Sequence, residues 1–245
     1  MTKRLADFKA LTFDCYGTLI DWETGIWDAL QPLMMLNQRS DILRNEALIS
    51  FARHESAVET EMPSLLYRKV LEKVHRSLAG EFGLESTEDL ERDFGQSVAH
   101  WPAFPDTADA LRYLKTRYKL AILSNIDRES FAASNRKLGV SFDAIHTAQD
   151  IGTYKPAPAN FEYLLQHLQS DLGLAPDDVL HTAQSLFHDH APARAIGLAN
   201  AWIDRQRLSE QGSWGATAPL AERPVLDFSF FSMEEMADAV RAENC

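Results

Sequence analysis

The chain has 245 residues, 45% hydrophobic and 24% charged, with a formal net charge of −12. This composition describes a globular protein with an ample core and excludes a disordered one. The acidic balance argues against nucleic acid or an anionic membrane as partner, while one or two local cations would suffice to hold a small anionic substrate. No run reaches the roughly 18 apolar residues of a membrane span, and Met1 to Asp7 has no signal-peptide core, so the cytosol is the expected compartment. Cys15 and Cys245 imply no disulfide framework.

The first informative stretch is Leu11-Thr12-Phe13-Asp14-Cys15-Tyr16-Gly17-Thr18-Leu19-Ile20. Its apolar start reads as a short buried strand that delivers Asp14 to its carboxyl end, where Gly17 lets the chain turn and Thr18 offers a hydroxyl. Cys15, one place off the pleat face of Asp14, is expected to turn back into the sheet. From Asp21 to about Ala99 helical periodicity takes over. A first long segment runs from about Asp41 to Glu61 with Leu43, Ala47, Leu48 and Phe51 on one face. In a second, Leu66, Val70, Val74 and Leu78 recur between Pro63 and a closing Gly80. Leu90, Phe94 and Val98 make a third stripe, with Ser86 or Thr87 as N-cap. Such an insert after the first strand would sit over that strand's carboxyl end as a lid.

Alternating helices and strands follow. Asp106–Arg117 reads as helix, Leu120–Leu123 as strand ending at Ser124 and Asn125, and Glu129–Leu138 as helix closed by Gly139. Ala144–Ala148 is the next strand, followed by a loop through Lys155 and Pro156 and a helix over Asn160–Leu168. Asp178–Ala183 is a strand, His190–Ile196 a helix, and Ala201–Ile203 a further strand. Gln211–Pro224 reads as loop and the tail from Ser232 as a closing helix. Short strands alternating with helices imply a parallel, doubly wound α/β sheet.

The chemistry-bearing residues fall at successive strand tips: Asp14, then Ser124 and Asn125, then Lys155, then Asp189. In a doubly wound sheet those tips converge, and a carboxylate placed there can act as a nucleophile. Each has a plainer reading as well: Asp14 as a turn residue, Ser124 and Asn125 as partners of loop amides, Lys155 as a solvated lysine, Asp189 as an N-cap.

The first of these motifs resembles motif one of the haloacid dehalogenase superfamily, and Asp-x-Tyr-Gly-Thr-Leu is the form shared by its type II 2-haloacid dehalogenases. Leu123-Ser124-Asn125 looks like motif two, Tyr154-Lys155-Pro156 like motif three, Asp189 like the trailing acid of motif four, and Trp202-Ile203-Asp204-Arg205 like a type II strand end. The resemblance implies a Rossmann-like core of residues 1–20 and 100–245, a helical cap of residues 21–99, and Asp14 as nucleophile. It also implies Lys155 as its cationic partner, lowering the Asp14 pKa, and Asp189 as the group that orients Lys155. Thr18, the amides of Cys15 and Tyr16, and Ser124 and Asn125 would bind substrate, with Arg53 of the cap as cation, Arg44 and Arg39 remaining open. Trp22, Phe51 and Tyr67 are candidates for the pocket wall.

The phosphatases of that superfamily use a second motif-one acid to protonate the leaving group, and Mg²⁺ held partly by an acid of motif four. Here those positions are Tyr16 and Gln184. Both changes damage phosphoryl transfer, and neither damages the departure of a halide, which needs no proton. The expectation is therefore a hydrolase that displaces halide from a 2-haloacid without metal or other cofactor. His188 and His190 flank Asp189 but lack a third ligand at metal-site spacing. Gln184 and Leu186, where type II enzymes carry Ser and Asn, and Phe161, where a tyrosine is frequent, depart from the pattern. A metal-dependent phosphohydrolase and a non-catalytic binding protein are the competing readings, and a homodimer through the cap helices stays open.

Overall fold

The computed structural model describes residues 3–210 and 223–243. Six parallel strands form one sheet in the order β3-β2-β1-β4-β5-β6. They are β1 (Ala10–Phe13), β2 (Lys119–Ser124), β3 (Ala144–Thr147), β4 (Val179–Ala183), β5 (Ala199–Ile203) and β6 (Phe228–Phe230). Every residue of β1 and β4 is buried, as expected of central strands covered on both faces. Leu11, Phe13, Leu120, Ile122 and Leu180 point to one face; Ala10, Ala121, Leu123 and Val179 point to the other, against Phe161, Leu164 and Leu168. Chain order reverses between β1 and β4, so the crevice beyond their carboxyl ends is the place where such sheets bind ligands.

Between β1 and β2 lie the four helices of the insertion: α1 (Trp22–Leu36), α2 (Arg44–Glu61), α3 (Tyr67–Phe82) and α4 (Glu88–Gly95). Their apolar stripes are core except at Leu43, which precedes α2 and is exposed, and Phe51, Val70, Leu78 and Phe94 join the buried cluster of the Leu11–Phe13 face. Thr87 caps α4 through Leu90 N–H, as the sequence allowed. The close of α3 differs from expectation. Gly80 stays inside the helix, and the chain turns at Gly83, whose φ of 65° suits glycine, while Leu84 N–H returns to Ala79 C=O.

The core helices are α5 (Thr107–Leu114), α6 (Arg128–Leu138), α7 (Ala148–Ile151), α8 (Pro158–Leu172), α9 (Ala191–Ala195) and α10 (Met233–Glu243). Helix α5 is shorter than its apolar pattern, because the chain leaves through turns at Lys115–Arg117 to enter β2. Strand β6, three residues beside β5, lies where the sequence showed no strand. The loop expected at 211–224 falls outside the described residues except for 223–224.

Trp101, fully buried, fastens the insertion to the β1 loop. The rings of Tyr16 and Tyr67 both meet it edge-on, at 5.4 and 6.4 Å between centroids. Gly25 of α1 makes this packing possible, since a Cβ there would stand 2.2 Å from Trp101 Cγ. Gly25→Ala is therefore expected to destabilise the fold by roughly 1–3 kcal/mol through overpacking, read from the midpoint of urea unfolding. An unchanged midpoint would contradict this account of the junction.

Candidate active site

Asp14 is the first residue past β1, and its N–H still bonds to Thr182 C=O of β4. Gly17, at φ 95°, turns the chain so that the Thr18 hydroxyl comes back to donate to Asp14 Oδ2 at 2.8 Å. Thr18 Oγ1 in turn accepts from Gln184 N–H, which ties the loop to β4. Below, Arg205 donates to Thr18 C=O and forms a two-point ion pair with Asp106 at 2.9 Å.

Lys155 reaches this carboxylate from the loop between α7 and α8. Its Nζ lies 2.9 Å from Asp14 Oδ1, 2.6 Å from Asp189 Oδ1 and 3.1 Å from Leu123 C=O, so all three ammonium donors are engaged. The side chain is 1% exposed. Burial opposes its charge, but the two carboxylates outweigh burial and push Lys155 up to about 12. Asp189 is held below the usual carboxylate range, because Lys155 and a hydrogen bond from His181 overcome its burial. For Asp14 burial prevails: its carboxyl sits above its ordinary value although Lys155 and Thr18 pull the other way. That corrects the expectation that Lys155 alone sets the Asp14 pKa downward.

His181 carries a role the sequence reading missed. Fully buried in β4, it donates from Nε2 to Asp189 Oδ1 at 3.0 Å, and its Nδ1 lies 2.9 Å from the Thr12 hydroxyl of β1. Phe161, at the position expected for a tyrosine, lies edge-on to the His181 ring. A histidine inside a fully buried strand was the available signal. Asp189 itself stands in a wide turn, Leu186–His190, ahead of α9. Its carboxylate faces Lys155 rather than capping a helix, and Ser185 does the capping through His188 N–H.

The other expected residues divide. Ser124 is buried at the tip of β2, with no partner for its hydroxyl among the described residues. Asn125 does not face substrate: Nδ2 donates to Lys155 C=O and Oδ1 accepts from Lys155 N–H, so both ends of the amide brace the lysine's backbone. Cys15 is buried in the core, where burial and Asp14 push its thiol well above the usual value. The Tyr16 hydroxyl, 2.9 Å from Ser134 Oγ, is likewise pushed up by burial.

Arg53 is a correction. It is 59% exposed and pairs with Glu81 at 2.6 Å, because two residues along a helix from inward-facing Phe51 is the opposite face. Arg39 pairs with Asp41, and Arg44 lines a cavity of about 220 Å³, with Trp22, Phe104 and Arg205, that Asp14 does not border. The insertion turns Glu55 and Glu59 inward instead.

A divalent ion does not fit these donors. Lys155 Nζ already stands between the Asp14 and Asp189 carboxylates, and the Gln184 amide reaches to Gln206. His190 Nε2 is committed to Ala183 C=O.

A buried carboxylate, its lysine and a trailing acid thus meet at the switch point of a parallel sheet, where such sheets bind ligands. Residues 8–182 match the haloacid dehalogenase-like hydrolases, and the chain belongs to that family. Among its relatives is the (S)-2-haloacid dehalogenase of Xanthobacter autotrophicus, 28% identical over 222 residues, covering 86% of this chain and 82% of that one. The (S)-2-haloacid dehalogenase H-109 of Pseudomonas putida is 26% identical over 206 residues, covering 81% and 86%. The solved L-2-haloacid dehalogenase of Xanthobacter autotrophicus with chloropropionic acid covalently bound superposes with a TM-score of 0.73 at 22% identity, over 96% of this chain and 98% of that one.

Lys155→Met would leave two buried carboxylates without their cation, a loss of about 3–5 kcal/mol near neutral pH. Without Lys155 the folded-state pKa values of both acids rise, so the loss should grow as pH climbs above the unfolded value near 4 and shrink towards it. Urea unfolding at pH 5 and pH 8 measures this, and an equal loss at both would contradict it.

Proposed function

We propose that this hydrolase displaces halide from a small 2-haloacid through an ester on Asp14, with no metal in the reaction. The observation that carries the reading is the buried Asp14–Lys155–Asp189 arrangement, with Tyr16 and Gln184 standing where metal-dependent chemistry would need acids. The names of the curated relatives support it. Residues 21–99 form the cap over the site, in the cytosolic enzyme expected from the sequence. A homodimer would use the exposed apolar side chains of Met35, Leu36, Leu43 and Ile49 on that cap.

In the first step an Asp14 oxygen attacks the halogen-bearing carbon. The C–O bond forms as the C–X bond breaks, and the halide leaves with the bonding pair. Lys155 keeps the attacking group ionised against its burial, and Thr18 aims it. In the second step water attacks the ester carbonyl carbon. The proton of that water passes to Asp189, whose Oδ2 has no partner among the described residues. The tetrahedral intermediate collapses by breaking its bond to the product oxygen, and the departing alkoxide takes the proton held on Asp189. Asp14, freed as the acid, gives its proton to solvent and returns to the carboxylate. Asp189 also fixes Lys155, and His181 fixes Asp189.

The test is halide release from chloro-, bromo- and fluoroacetate and 2-chloropropionate, with and without a chelator, beside phosphate release from phosphomonoesters with and without Mg²⁺. Chelator-insensitive halide release is expected, and Asp14→Asn should lower it on the order of 10⁴-fold or more. Magnesium-dependent phosphate release alone, or full activity in Asp14→Asn, would refute the reading.

Because Asp14 must be ionised to attack, kcat/KM should fall on the acid side of a pKa above the ordinary aspartate value. A profile flat down to pH 4 would contradict that assignment.

A further inference from the structure

The inward face of α2 presents Phe51, Glu55 and Glu59, one helical turn apart. Glu59 is 8% exposed, and no described residue donates a hydrogen bond to its carboxyl. Glu55 accepts from the Tyr67 hydroxyl at 2.5 Å. Tyr67 shares the Trp101 surface with Tyr16, the residue two places after Asp14. On the other side Tyr154, next to Lys155, anchors its hydroxyl on Leu65 C=O. Burial and mutual repulsion push Glu59 well above its ordinary value while Lys155 pulls it back, and burial raises Glu55 to about 7.

Among the described residues these two carboxyls have no cation of their own. The donors of Lys155 are taken by Asp14, Asp189 and Leu123, while Arg53, Arg68 and Arg76 pair with Glu81, Glu129 and Glu91. Two acids beside Tyr67 and Tyr154 make poor surroundings for a second anion and good ones for an ammonium, which pairs with carboxylates. A cation there would also relieve the repulsion that keeps Glu55 and Glu59 from ionising together.

We propose that Glu55 and Glu59 form a subsite for an ammonium group, so that the substrate is a zwitterionic 2-haloacid whose chain ends in an amine. This rests on the halide-displacement reading for the identity of the reacting end. The carboxylate end meets the Ser124 hydroxyl and the N–H groups of Cys15 and Tyr16, and the amine reaches up to α2.

The test uses halogen-free probes, so that binding is read apart from chemistry. Calorimetric titration of the intact protein should show 5-aminopentanoate binding roughly tenfold or more tighter than pentanoate. Glu59→Gln and Glu55→Gln should each erase most of that preference, and Glu59→Gln should melt no lower than the parent because a neutral amide of the same shape replaces a buried carboxyl that Glu55 repels. Equal or tighter binding of pentanoate, no binding of either probe, or a preference that survives both substitutions overturns the subsite. Halide release from 2-bromopropionate is measured in parallel. Release without the ammonium preference sinks the subsite alone. The preference without release from any haloacid sinks the displacement reading and leaves the subsite standing.

Discussion

Lys155 is a buried cation whose ammonium is shared by two carboxylates, and the catalytic half of the molecule is arranged to make that tolerable. An ion of this kind is stable in the interior only when each of its donors is engaged. Two are met by Asp14 and Asp189 and the third by Leu123 C=O. The Asn125 amide holds the lysine's own backbone from both sides, and His181 and Thr12 carry the hydrogen bonding from Asp189 back into the centre of the sheet. The parallel register makes this possible: Thr12 lies opposite His181, so the two groups reach the crevice side by side.

Much of this was legible in the sequence. Short buried strands alternating with helices define a doubly wound sheet, and once the sheet is parallel the tips carrying Asp14, Ser124, Lys155 and Asp189 must converge. What could not be read were roles set by direction rather than position. Asn125 stands at a strand tip, as a substrate-binding amide would, but its side chain folds back onto the Lys155 peptide. His181 was hidden inside a strand, where a polar side chain gives no sign of its partner across the sheet. Gly80 and Gly83 offer the same end signal to α3, and tertiary packing around Phe82 and Leu84 decides between them. Strand β6 is too short for its three residues to stand out from their surroundings.

The insertion is where sequence likeness misleads most. Arg53 has the residue type expected of a cation near the substrate, and helical geometry turns it to solvent. The positions that do turn inward, Glu55 and Glu59, carry the opposite charge. The core and the insertion therefore ask different things of a ligand. The core supplies the Asp14 carboxylate, tuned by burial and by Lys155, and the insertion supplies two inward acids and the Tyr67 ring. Trp101, seated on Gly25, holds the two halves in register through Tyr16 and Tyr67.

The central claim is that Asp14 bonds to carbon. A single turnover in water labelled with ¹⁸O, with enzyme in excess over a 2-haloacid, tests it most directly. If water attacks an ester on Asp14, the label enters that carboxylate and is found by mass spectrometry in the peptide that contains it, while the product oxygen stays unlabelled. Label in the product and none in Asp14 would mean that water attacks the substrate itself, and the account would fail.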